Sequence, residues 1–148
     1  MKTTVIAVAT AAAAITTLAT VQGAAAAPVG PAGPVGAVVT CGTPGAPGPL
    51  LTRACVEVTG NQVRFYGVAT PGDPSWEPRP LGFTVSGTVV GSAPLAPVHP
   101  AVIVQAGSNQ VGSVFSSAPC GATVSTTFSV AQPGWPTSTA TVSTVVAC

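Results

Sequence analysis

Few side chains in this 148-residue chain could do chemistry, and their spacing narrows the choice further. There is 1 His, His99, and the carboxylates are Glu57, Asp73 and Glu77. A Ser-His-Asp site can be drawn from His99, Asp73 and one of the many Ser residues. Such a site needs a presented nucleophile, and no G-x-S-x-G turn exists. The strand count below also sends Asp73 and His99 to opposite ends of the fold. His99, in Val98-His99-Pro100, therefore reads as a surface or turn histidine, and the chain as a non-enzyme.

Cys41, Cys55, Cys120 and Cys148 are the remaining reactive groups. No C-x-x-C pair is present, so a zinc shell is not the reading, and neither metal nor cofactor is expected. Lys and Arg together number 4, too few for phosphate-driven nucleic-acid binding. Charged residues make up 5% of the chain, against about 25% in an ordinary soluble domain. The scarcity does not mean disorder, because 47% of the residues are hydrophobic.

The start of the chain reads as an export signal. Met1-Lys2 is followed by an apolar run over 5–21 and then by Gly23-Ala24-Ala25-Ala26-Ala27. That order matches a secretory signal peptide, 1–26, with cleavage after Ala26. The run is at the lower edge of spanning length and interrupted by Thr, which disfavours a retained anchor. A bacterial, secreted, extracellular protein is expected, with no membrane contact after cleavage. An even number of Cys in an exported chain reads as disulfides. Order along the chain favours Cys41–Cys55 and Cys120–Cys148. The first would close a short loop, contributing about 3 kcal/mol.

Those groups need elements to hold them. Past the signal the chain alternates Val, Thr and Ser runs cut by Gly, Pro and Asn, the pattern of short antiparallel strands. Eight are expected, at about 35–41, 52–59, 62–70, 81–90, 101–105, 110–117, 122–131 and 137–148. Val58-Thr59-Gly60-Asn61-Gln62-Val63 carries a two-residue loop with Gly first, as a II′ hairpin requires. The loop sets a register: Glu57 faces Arg64, Val56 faces Phe65, Cys55 faces Tyr66, and Arg53 lies opposite Val68. In the last hairpin, around Gln132-Pro133-Gly134-Trp135-Pro136, one register aligns Phe128 with Ala140 and Val124 with Thr144. The same register brings Cys120 opposite Cys148, and a one-residue slip would break both agreements.

The expected fold is all-β, a small two-sheet sandwich of seven to eight antiparallel strands with immunoglobulin-like architecture. A small barrel is the second choice. No Trp lies on a central strand, so only the architecture is expected. Residues 27–49 read as a Pro/Gly-rich arm with one edge strand, and 50–148 as the sandwich domain. With Lys confined to position 2, the sheet edges look weakly protected.

Both Trp residues then fall in Pro-stiffened loops. Trp76 lies in Asp73-Pro74-Ser75-Trp76-Glu77-Pro78-Arg79-Pro80, and Trp135 in the last hairpin loop. If strands alternate in direction, both loops share one end of the sandwich. Each Trp could cover that end as a lid, or serve as a rigid contact residue. The loop also holds Asp73, Glu77 and Arg79, and a lid does not need both signs of charge. Trp76, Asp73, Glu77, Arg79 and Trp135 are therefore the candidate binding residues. The expected function is a secreted protein-interaction module, an adaptor or small subunit contacting other secreted proteins. The alternatives are an inhibitor of a secreted protease or glycosidase, and a cell-surface structural protein.

Overall fold

The computed structural model describes residues 36–148. The expected signal segment and residues 27–35 of the expected arm lie outside the described residues. The rest forms eight strands: β1 (Val38–Cys41), β2 (Leu50–Thr59), β3 (Gln62–Pro71), β4 (Arg79–Val89), β5 (Ala101–Val104), β6 (Asn109–Ser117), β7 (Thr123–Val130) and β8 (Thr139–Val145). They build two four-stranded antiparallel sheets, in the orders β1-β2-β3-β6 and β5-β4-β7-β8. No helix occurs among the described residues. The fold is the expected all-β two-sheet sandwich.

Local chemistry sets the pairing. At the β2–β3 turn Gly60 has φ +60, and among the described residues no non-glycine residue, Asn61 included, has positive φ, as a II′ turn with Asn61 second requires. The hairpin then runs in one register from Thr59↔Gln62 through Glu57↔Arg64 and Cys55↔Tyr66 to Leu50↔Pro71. The β7–β8 hairpin pairs Phe128 with Ala140 and Val124 with Thr144. Beyond it Val146 donates its N–H to the Ala122 carbonyl, and Cys120 is bonded to Cys148. Cys41 and Cys55 are bonded across directly paired positions of β1 and β2.

The sheets face each other strand over strand. β2 packs on β7 and β8, β3 on β4 and β7, and β6 on β4. Alternate residues of the longer strands point inward, and with Val111 and Val114 on either side of an irregularity in β6 they form one core that includes Val56, Val63, Phe65, Phe83, Val85, Val124 and Phe128. Two glycines shape it. A Cβ on Gly67 of β3 would collide with the Phe128 ring, and one on Gly87 of β4 would collide with the Phe65 ring. Each sheet thus supplies a glycine over which an aromatic ring of the other sheet lies. Phe128 is also stacked on Phe83, with ring centroids 5.3 Å apart. The buried Thr126 hydroxyl is satisfied by the Cys55 carbonyl at 3.3 Å, which ties the two sheets by a hydrogen bond.

The segment before β2 belongs to the sheet as far as it is described. Gly42 donates its N–H to the Ala54 carbonyl, and Gly45 exchanges backbone hydrogen bonds with Thr52. Gly42 lies so close to the Thr141 carbonyl that no Cβ would fit there. The chain before β2 therefore covers part of the β8 edge.

The other edges are limited by length and irregularity. β1 and β5 have 4 residues each. β6 carries a bulge, where Gly112 at φ +60 and Ser113 together oppose Tyr66. Bulges and short strands are ways to spoil an edge for further pairing without charge.

Candidate interaction site at the tryptophan end

Four connections meet at one end of the sandwich: 42–49, 72–78, 105–108 and 131–138. Hydrogen bonds lock the first three together. Gly72 donates its N–H to the Pro49 carbonyl at 2.8 Å. The Trp76 indole Nε1–H donates to the Val104 carbonyl at the end of β5, at 2.9 Å. Asn109 closes the β5–β6 turn by donating to the Gln105 and Gly107 carbonyls. Asp73 fixes the entry to the Trp76 loop. Its carboxylate accepts from the Ser75 N–H at 2.8 Å and from the Ser75 hydroxyl at 2.7 Å, an Asx-type turn. These bonds favour the charged carboxylate and hold Asp73 below its ordinary pKa.

The candidate residues divide into a foundation and a surface. Trp76 is only 8% exposed and belongs to the core, so its ring acts as the lid over the sheet ends. Trp135 is half-buried, and Asp73, Glu77 and Arg79 are exposed. Arg79 connects the two indoles. Its guanidinium carbon lies 3.9 Å from the Trp76 ring centroid and 5.5 Å from that of Trp135. The close approach of the first is a cation–π contact. Trp135 in turn rests against Gly48, where a Cβ would meet the indole at ordinary contact distance, so it is the φ of +59 that calls for glycine. Five candidate residues chosen from sequence thus sit at one end, and three of them are in direct contact.

Among the described residues the only ion pair is Arg64–Glu57, at 3.4 Å on the outer face of the first sheet. Arg64 also donates to Ser113 at 2.9 Å and lies 5.0 Å from the Tyr66 ring. Tyr66 is buried under this cluster, and that burial raises its pKa, with the Glu57 charge adding to the rise. Asp73, Glu77 and Arg79 have no opposite charge within pairing distance among the described residues. They line an open cleft of about 460 Å³ with Pro49, Ser75, Trp76 and Pro78.

His99 lies elsewhere. Its Nδ1 is 3.0 Å from the Thr84 hydroxyl on the outer face of the second sheet, and it shares no hydrogen bond with Asp73. Among the described residues no three His, Cys, Asp or Glu side chains gather as a metal shell.

Two features of the site escaped the sequence reading. Pro49 is part of the cleft wall, because the Gly72–Pro49 hydrogen bond brings it beside Asp73. Arg53, opposite Val68 as the register predicts, has no carboxylate partner among the described residues. It lines a separate trough with Leu51, Val68, Thr70 and Ser108. The alternation of β2 puts Leu51 and Arg53 on one side of the strand, and that was the available signal for the trough. No protein-family model matches the chain, and no curated protein or solved structure is significantly similar to it.

Proposed function

We propose that this chain is an exported, non-enzymatic protein-interaction module, an adaptor or small subunit of an extracellular protein assembly, which contacts its partner through the tryptophan end. Two disulfides in a small domain are compatible with an extracellular location. One observation carries the reading. Arg79 is held against two indoles, beside Asp73 and Glu77, and none of the three charges is paired within the described residues.

A guanidinium stacked on a ring is already oriented, so a partner that binds it loses little side-chain entropy. Its in-plane N–H donors remain available, because stacking uses only its face. The unpaired carboxylates give the same surface hydrogen-bond acceptors and the opposite sign, which favours register over raw affinity. The hydrogen bonds beneath keep the loop in place between encounters.

The test is capture of partners from the native culture medium by the immobilised chain, followed by site mapping with cross-links. Arg79→Glu should abolish the capture of the major partner, while Thr141→Ala on the second sheet should retain it. Equal capture by both variants would remove the tryptophan end as the contact. A partner that is a protease or glycosidase, and is stopped one-to-one, would replace the adaptor with the inhibitor.

A further inference from the structure

The cleft at the tryptophan end continues onto the outer face of the first sheet. Three depressions adjoin through shared walls. The cleft of about 460 Å³ around Arg79 includes Pro49 and Asp73. A second, of about 260 Å³, is lined by Gly48, Pro49, Leu50, Leu51, Gly72 and Asp73. A third, of about 300 Å³, runs from Leu51 to Arg53, with Val68, Thr70 and Ser108. Pro49 and Asp73 join the first to the second, and Leu51 joins the second to the third.

The line follows β2. Leu51 and Arg53 are exposed and alternate with the buried Leu50, Thr52 and Ala54. Opposite them, Thr70 and Val68 of β3 pair with Leu51 and Arg53. The groove therefore offers a fixed order: the Asp73 carboxylate beside Pro49, then the apolar Leu51, then the Arg53 guanidinium. Leu51, near the start of β2, is 45% exposed, so its side chain is open to contact. Arg53 has no carboxylate partner among the described residues, whereas Arg64 on the same face has Glu57.

We infer that this groove takes an extended segment of a partner polypeptide carrying a basic, an apolar and an acidic residue at every second position. The inference rests on the interaction reading above and names the kind of partner. Spacing supplies the pattern. Leu51 and Arg53 stand two apart on β2, and Pro49 comes two residues before Leu51 in the turn that leads into the strand, tied to the end of β3 by the Gly72–Pro49 hydrogen bond. An extended segment lying over Leu51 and Arg53 has the same repeat, about 3.3 Å per residue. Its basic residue meets Asp73, its apolar residue covers Leu51, and its acidic residue meets Arg53. Intermediate side chains point away into solvent. Charge complementarity at both ends excludes a purely apolar or singly charged occupant, because that would leave Asp73 or Arg53 covered without a counter-charge.

The test is selection from a displayed library of random heptapeptides, using the full chain purified from an exporting host with its disulfides formed. Enriched sequences should carry basic-x-apolar-x-acidic, read in either direction. Arg53→Glu should exchange the acidic position for a basic one and weaken the original peptides about tenfold or more. Moving the acidic residue by one position should have the same cost, since it then points away from the groove. Unchanged thermal unfolding of Arg53→Glu, an exposed site, separates lost recognition from lost fold. Enrichment without that spacing, or peptides indifferent to Arg53→Glu, would overturn the groove. Partner capture that still depends on Arg79 would then leave the tryptophan-end reading standing. Loss of dependence on Arg79 with the peptide pattern intact would do the reverse.

Discussion

Trp76 stands with Asp73, Ser75 and Glu77 in the connection that leads into β4 at Arg79, the most charged stretch of the chain, yet its own ring is 8% exposed. The indole can be buried there because its one polar atom has a partner, the Val104 carbonyl at 2.9 Å. A Phe at this position would keep most of the apolar contact and strand the carbonyl. Trp76→Phe should therefore cost about 1–3 kcal/mol, the penalty of a buried acceptor left without its donor. Denaturant unfolding at fixed m-value measures this, and an unchanged midpoint would show that the carbonyl finds water. The same loss would loosen the platform under Arg79, so partner binding should weaken even though Trp76 itself is covered. The sequence placed Trp76 at the correct end of the fold, because loop order and strand alternation decide that. Its burial was not legible, since it depends on β5 ending at the right height to accept from the indole. Asp73 shows the opposite case. Asp-Pro-Ser is a local turn signal, and the structure uses it locally, with Ser75 holding the carboxylate charged.

At the level of elements, the two hairpins were readable to the residue. Each had a short-range signal, Gly60-Asn61 in one and the joint phase of apolar face and cysteines in the other. The β6 bulge and the coverage of β8 by Gly42 were not readable. Both depend on which strands become neighbours across the sandwich, and a single strand's pattern carries no such information. The expectation of weakly protected edges came from counting charges alone. The structure also limits them with a bulge, short strands and a crossing chain.

The disulfides belong to this scale too. Cys120 and Cys148 are both exposed and lie beyond the ends of β7 and β8, whereas in the other bridge only Cys41 is exposed and Cys55, paired beside it, is fully buried. Thiol–disulfide exchange needs access to a sulfur. Under graded reductant Cys120 and Cys148 should open first, with the core retained. Cys41–Cys55 should open later and release β1 with the Gly42 segment over β8. Alkylation and peptide mass mapping follow this order. Early labelling of Cys41 and Cys55 would mean that β1 detaches readily from the sheet.

The two outer faces of the molecule differ in kind. The first sheet carries Arg53, Glu57 and Arg64, with the exposed Leu51 and Phe115. The second carries rows of hydroxyls across three strands: Thr84–Ser129–Thr139, Ser86–Thr127–Thr141 and Thr88–Ser125–Ser143. Ser86 bonds to Thr127 and Thr88 to Ser125, so cross-strand partners satisfy part of this face. No charged residue lies in these rows, and the charges outside position 2 sit on the first sheet or in the 72–80 region. Such a distribution fits a molecule that recognises partners on one side and meets water on the other.

It also leaves the chain with almost no net charge to keep copies apart, since three Arg balance three carboxylates once Lys2 is set aside. These two properties can be separated by mutation. Thr88→Lys with Thr141→Lys adds like charge to exposed positions of the hydroxyl face without touching the core. Self-association measured by light scattering should fall, because repulsion between copies rises. Capture of the partner, and the peptide pattern selected by the groove, should not change at physiological salt, where screening acts over about 8 Å. If the double variant loses its partner while its unfolding midpoint holds, the hydroxyl face is part of the contact and the one-sided assignment fails.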